Sequence, residues 1–342
     1  MSVTMQDSTP PLPAAKRDSL PSRVWQVVSC NNRAICITTA VVAVVGTVLA
    51  LSGCAAPVPS ASTKLAVVAT TTQVADFSRQ IAGTTATVTG LVQANQSVHG
   101  FDPSAKNLLD LAAADVLVTS GVDLEAWLKD AIDASGFKGT VIDASTGITL
   151  INNDPHLWTN PANATLMVQN IAAGFAAAEP EQADAFQANA VAYETQLNAL
   201  DGWISANVEQ VPLAERLLVT NHDAFTYFYD AYDITFVGSI IPSLDDNAEP
   251  SAAELDRLIA TIKTTGAKAV FSEASLSPKL AQTIAQEAGV AVYSGEDALY
   301  SDSLGAAGSA GATYISATIH NVTVLMDSWG YELLPLPATL SL

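Results

Sequence analysis

Four histidines are the residues of this chain best suited to chemistry, and three of them lie in loops that follow strand-like runs: His99 in SVHGFDP, His156 in NNDPHLWTNP and His222 in VTNHDAF. The stretch Leu217 to Tyr232, LLVTNHDAFTYFYDAY, is the most explicit. Its apolar opening, Leu217 to Thr220, reads as a buried parallel strand, and the aromatic run after Asp223 reads as a helix started by an Asn or Asp cap. His222 then stands just beyond the carboxyl end of a strand, where open α/β sheets bind ligands. Three loop histidines from separate βα units emerge on the same edge of their sheets and can converge. Neutral imidazole is the commonest protein ligand for divalent transition metals. The fourth histidine, His320, lies inside the helical run TYISATIHNV and is expected on a solvated face.

A metal held by these rings needs oxygen to complete its shell, because the cysteines are spent elsewhere. The three are Cys30, Cys36 and Cys54, all close to the amino terminus. Residues 1–53 read as a secretory signal, with Lys16, Arg17, Arg23 and Arg33 in a polar first part and an apolar run from Ala34 to Ala50. The ending Leu51-Ser52-Gly53-Cys54 resembles the bacterial lipoprotein box, in which the cysteine is lipidated and becomes the first mature residue. A Pro/Ser/Ala linker, residues 54–63, follows. The mature chain then has no free thiol, and the fourth ligand is expected to be a carboxylate. Candidates at strand ends in the second half are Asp223, Asp246, Glu273, Glu296, Asp297 and Asp302. Asp302 lies in a Gly/Ala-rich loop, LYSDSLGAAGSAG, and Glu273 directly follows a strand-like run; the residues alone do not choose between them.

The formal charge of the chain is −20, and removal of residues 1–53, with four basic and two acidic side chains, leaves −22. That balance argues against nucleic acid and against docking on anionic lipid, and it is compatible with attracting small cations. Nothing in the sequence matches the H-E-x-x-H pattern that pairs a metal with a general base.

The elements that must position these side chains alternate. Strand-like runs at 64–70, 87–92, 115–119 and 140–142 are interleaved with helical runs ending near Ile81, at 104–114 and at 124–134, and a polar loop at 152–161 carries His156. The alternation resumes with strands at 217–220, 235–237, 269–272 and 290–293 and helices at 224–231, 252–264, 278–288 and 313–327. Alternation of this kind indicates parallel sheets. Between the two sets, residues 179–208 read as one helix of about 45 Å, longer than either half needs and therefore a connector. The expected fold class is α/β: two similar lobes, each a mainly parallel sheet flanked by helices, joined by one long helix, with the metal site in the cleft between them. The boundaries are 64–178 for the first lobe, 179–208 for the helix, 209–330 for the second lobe and 331–342 for a tail.

Four segments in order, HGFDPSAKNLLDLAAADVLVTSGVDLEAWL, DPHLWTNPANA, VTNHDAFTYFYDAY and LYSDSLG, resemble the signature blocks of the solute-binding lipoproteins of zinc and manganese ABC importers. The resemblance runs from Leu65 to Trp329. It implies metal ligands at His99, His156, His222 and Asp302, the first two from the first lobe and the last two from the second. It implies a non-enzymatic monomer that carries one divalent ion, zinc before manganese. It further implies anchoring outside the cytoplasmic membrane through lipid on Cys54, and delivery to an ABC permease and its ATPase. Asp154, Trp158, Asp223 and Glu273 are the residues expected around the ligands, since metal-bound His usually donates its other ring N–H to an acceptor. The rival expectations are an exported metallohydrolase and a metal-stabilised surface adhesin. A site with all four positions filled by protein leaves none for an activated water, which favours binding over hydrolysis.

Overall fold

A computed structural model describes residues 64–340. The leader, the lipoprotein box with Cys54 and the linker lie outside the described residues. The first sheet is built from β1 (Leu65–Ala69), β2 (Ala86–Gly90), β3 (Val116–Thr119) and β4 (Thr140–Asp143), all parallel, in the order β2-β1-β3-β4. Central β3, VLVT, is buried at every position, as a strand covered on both faces must be. Helices α1 (Thr72–Ala82), α2 (Ala105–Ala112) and α3 (Leu128–Ser135) connect these strands.

Two long helices follow. α4 (Pro161–Ala178) starts on Asn160, whose side chain accepts from the backbone N–H of Ala162. No element was expected over residues 162–178, so α4 is an addition to the expected order. α5 (Ala183–Val208) is preceded by a short 3-10 turn, Pro180–Gln182, so the expected helix at 179–208 begins four residues later and is unbroken at Gly202. Among its buried positions, Phe186, Ala190, Tyr193, Leu197, Leu200, Ile204 and Asn207 alternate by four and three residues and make one continuous stripe, flanked by buried Trp203 and Val208. The stripe packs on α4 and α1, with Phe186 edge-on to Phe175 and Tyr193 against Phe77.

The second half has β5 (Leu217–His222) parallel to β6 (Thr235–Ile241), and β7 (Ala269–Phe271) parallel to β8 (Ala291–Tyr293), with β5 lying beside β7. Helices α6 (Thr226–Ala231), α7 (Ala252–Thr265), α8 (Lys279–Ala288) and α9 (Tyr314–Trp329) surround these strands. α6 does not start on Asn221 or Asp223: its first position follows Phe225, with no side-chain cap. The strand instead runs two residues further than expected and includes His222, because His222 still pairs with Ile241 of β6, while its N–H donates to the Glu273 carboxylate. One apolar core runs through both halves, joining Phe77, Leu200, Phe228, Tyr314 and Met326. Among the described residues no helix is long and apolar enough to cross a membrane.

Candidate metal centre

Each of the four converging side chains is placed by a different element. His99 lies in the loop after β2, where the indole N–H of Trp127 donates to the Val98 carbonyl at 2.9 Å and Phe101 packs on the Trp127 ring. His156 lies in the loop between β4 and α4, entering a 3-10 turn at Leu157–Thr159. One oxygen of Asp154 takes both its backbone N–H, at 2.8 Å, and its ring Nδ1–H, at 2.6 Å. A carboxylate there accepts only, so Nδ1 carries the proton and Nε2 faces the other way. His222 ends β5 and is gripped alike: its N–H donates to Glu273 Oε1 at 2.8 Å and its Nδ1 lies 2.6 Å from Oε2. Asp302 lies in the loop between β8 and α9, fully buried.

The free ends of these groups meet. Asp302 Oδ1 is 3.2 Å from His156 Nε2, Oδ2 is 3.2 Å from His222 Nε2 and 3.3 Å from His99 Nε2, and the Nε2 atoms of His99 and His156 are 3.3 Å apart. One donor atom from each of the four residues lies within 4.8 Å of every other. Neither Asp302 oxygen has a well-aligned hydrogen-bond partner among the described residues, an expensive state for a buried carboxylate unless a cation faces it. A tetrahedral ion with bonds of 2.0–2.1 Å spaces its ligands about 3.3 Å apart, and these four contacts stand at 3.2–3.3 Å. His99 alone of the four keeps some solvent contact, with 8% of its side chain exposed.

The charges are coupled. Burial by itself would push the His156 ring down, yet the carboxylates of Asp302 and Asp154 hold it up at about 9. His222 is likewise raised, against burial, by Glu273 and Asp302. Asp302 is pushed up by burial but held well below the usual carboxylate range by the two rings it faces. Two imidazolium protons and one dication carry the same charge of +2 and face the same carboxylates.

The remaining candidates are not among the four donors, although the Trp158 ring lies edge-on to His156. Glu273 is on the Nδ1 side of His222 and orients it. Asp246 accepts from the Ser97 hydroxyl at 2.8 Å, and Glu296 and Asp297 are exposed in a 3-10 turn. Asp223 touches none of the rings; its N–H donates to the Ser243 carbonyl. Trp158 serves the loop of Asp302, its indole N–H donating to the Ser301 carbonyl at 3.0 Å. The expectation for His320 is corrected: it is half-buried, its Nε2 lies 3.0 Å from the Ala298 carbonyl and its ring is edge-on to Tyr300. A carbonyl within reach and an aromatic face outweigh hydration at that helix position. Gln73 and Thr72, which also hold the Asp302 loop, carry no signal in the sequence, because their partners are more than 200 residues away.

Residues 67–328 match the family described as ZnuA: zinc-uptake complex component A, periplasmic. The manganese-binding lipoprotein MntA of Bacillus subtilis (strain 168) is 32% identical over 300 residues, covering 83% of this chain and 96% of that protein. The zinc-binding lipoprotein AdcA of Streptococcus pneumoniae (serotype 4) is 30% identical over 291 residues, covering 79% of this chain and 56% of a longer protein. The solved structure of the periplasmic zinc binding protein TroA from Treponema pallidum superposes with a TM-score of 0.72 at 25% identity, over 78% of this chain and 99% of that one.

Proposed function

The chain belongs to the ZnuA family, the substrate-binding proteins of zinc and manganese ABC importers, and from that premise we propose that it captures one divalent transition-metal ion outside the cytoplasm and hands it to its permease. The family consists of binding proteins and not enzymes, which removes the hydrolase alternative. The observation that carries the reading is the convergence of His99, His156, His222 and Asp302, with two of the three rings turned inward by Asp154 and Glu273. These four are the ligands, and the ion is cargo. Three nitrogens and one carboxylate suit zinc, and zinc binds such sets more tightly than manganese.

The chain divides into a leader at 1–53, a linker at 54–63, lobes at 64–178 and 209–330 bridged by the helix within 179–208, and a tail at 331–342. Lipid on Cys54 holds the mature protein to the outer face of the membrane. One chain supplies every donor, so the working unit is a monomer. The test is element analysis of protein purified without added metal, followed by zinc and manganese competition titrations. Zinc bound one to one and displacing manganese is the expected result. Tighter manganese binding reassigns the cargo, and binding of neither ion overturns the reading.

A further inference from the structure

Asp302 is reached by the chain from one half of the molecule and held in place from the other. We propose that Thr72, Gln73 and Trp158 are positioning residues for the Asp302 carboxylate, so that this ligand moves with His99 and His156 and the ion is let go when His222 parts from the other three. The proposal rests on the ligand assignment above.

The last residue whose backbone is gripped by its own half is Tyr300, whose N–H donates to Asn321 Oδ1 at 2.8 Å and whose carbonyl accepts from Asn321 Nδ2 at 2.7 Å. From Ser301 onward the partners change. The Ser301 carbonyl accepts from Gln73 Nε2 at 2.8 Å and from the Trp158 indole at 3.0 Å. The Leu304 N–H donates to Thr72 Oγ1 at 2.8 Å, and its carbonyl accepts from the Asn95 N–H at 3.1 Å. The far end of the loop is fixed in the same way. The Tyr314 N–H donates to Asp76 Oδ2 at 2.9 Å, and the Tyr314 hydroxyl donates to the Trp158 carbonyl at 2.7 Å. All of these partners belong to residues 64–178, and Asp302 sits between the two gripped peptides at Ser301 and Leu304.

On the opposite side, the segment 301–304 keeps one side-chain bond to the second half, from the Ser301 hydroxyl to Glu273. Three further bonds cross the cleft: the Ile151 N–H donates to the Tyr227 hydroxyl, that hydroxyl donates to the Asp154 carbonyl, and the Ser97 hydroxyl donates to Asp246. They break on opening whichever way Asp302 goes, so they do not bear on the choice. What bears on it is one charge-assisted bond against four neutral ones at the Ser301 and Leu304 backbone groups that flank the ligand. A charge-assisted bond is roughly twice as strong as a neutral one, which does not outweigh four. His222, by contrast, is fastened to Glu273 by both its N–H and its ring and stays with β5 and β7.

Zinc titrations against a chromophoric chelator test this in three backgrounds: the native site, His222→Ala and Asp302→Ala. Thr72→Val removes the acceptor for the Leu304 N–H at nearly constant volume, and Thr72→Ser keeps it. Thr72→Val is expected to weaken zinc binding about 10-fold, the range for residues that orient a ligand. The same loss is expected in His222→Ala, none in Asp302→Ala, and Thr72→Ser binds as the native protein does. Equal losses in the Asp302→Ala and His222→Ala backgrounds, or no loss in the native one, overturn the proposal. If Asp302→Ala binds too weakly to titrate, the visible spectrum of the Co²⁺-loaded protein decides. Thr72→Val should change the band intensity and Thr72→Ser should not; an unchanged Thr72→Val spectrum overturns the proposal. Gln73→Leu is the second variant if Thr72→Val does not fold. Failure of the native protein to bind zinc at all would overturn the ligand assignment instead.

Discussion

Each buried ring at this site is aimed by a carboxylate that uses both the backbone N–H and the far ring nitrogen of the same residue. Replacing His99, His156 or His222 by alanine removes a donor, and zinc affinity should fall well beyond the ~10–100-fold expected for Asp154→Asn or Glu273→Gln. His320→Ala should leave affinity unchanged, since its ring is occupied by the Ala298 carbonyl; a loss matching that of His222→Ala would refute the assignment. The pH dependence follows from the raised rings. From sequence alone, binding would weaken below ~6.5, the unperturbed imidazole value. With His156 held at about 9 and His222 also raised, protons compete with the ion already at neutral pH. Affinity should therefore keep rising as pH increases from 7 toward 9, with about two protons released per ion near pH 7 by calorimetry in buffers of different ionisation enthalpy.

At the scale of elements, α5 is packed along its length. It is cradled by α4, α1 and α9 along one apolar stripe, and the tail closes on its end, where the Trp203 indole donates to the Leu334 carbonyl at 3.0 Å. A long helix packed along one stripe against both halves resists wide hinging, so cargo release is expected to use small displacements of loops and lobes. The weak point of α5 is Gly202, inside the helix with open space where a Cβ would go. Gly202→Ala should raise stability by about 0.5–1 kcal/mol in urea unfolding, with metal affinity unaltered. A destabilised variant would show that the helix needs the freedom of glycine there.

At the scale of the molecule, ion binding and folding are linked. The donors lie up to about 200 residues apart in the chain, so only the folded chain assembles them. Zinc at a hundredfold excess over its dissociation constant should stabilise the fold by about 2.7 kcal/mol. The ion-free protein should respond to pH in the opposite direction from binding. His156 is raised on folding, so its contribution to stability is full below ~6.5 and is lost as pH rises through about 9. Melting temperatures measured from pH 6 to 9 should fall for the ion-free protein and hold for the zinc-loaded one. A parallel decline in both would remove His156 as the cause. Mass spectrometry of the detergent-extracted protein should find a lipidated Cys54 as the first residue.

Most of the elements are legible in the sequence because local chemistry determines them. Alternating buried strands and capped helices fix βα units, and a strand end followed by a polar loop marks where a ligand can stand, which is how His99, His156 and His222 stand out. The helix at Pro161–Ala178 is written there too, in an Asn-Pro start and apolar residues at Ala164, Met167, Val168, Ile171 and Phe175. Its signal is weaker because alanines on every face blur the contrast between its apolar and polar sides. The choice of Asp302 over Glu273 is of another kind. Both follow strands and both are buried carboxylates; what separates them is that one faces Nε2 of His222 and the other Nδ1, a difference of ring orientation set by packing. The grip of Thr72 and Gln73 on the Asp302 loop is equally invisible in one dimension. It joins positions more than 200 residues apart through backbone groups that every residue possesses, and only the folded chain decides which of them meet.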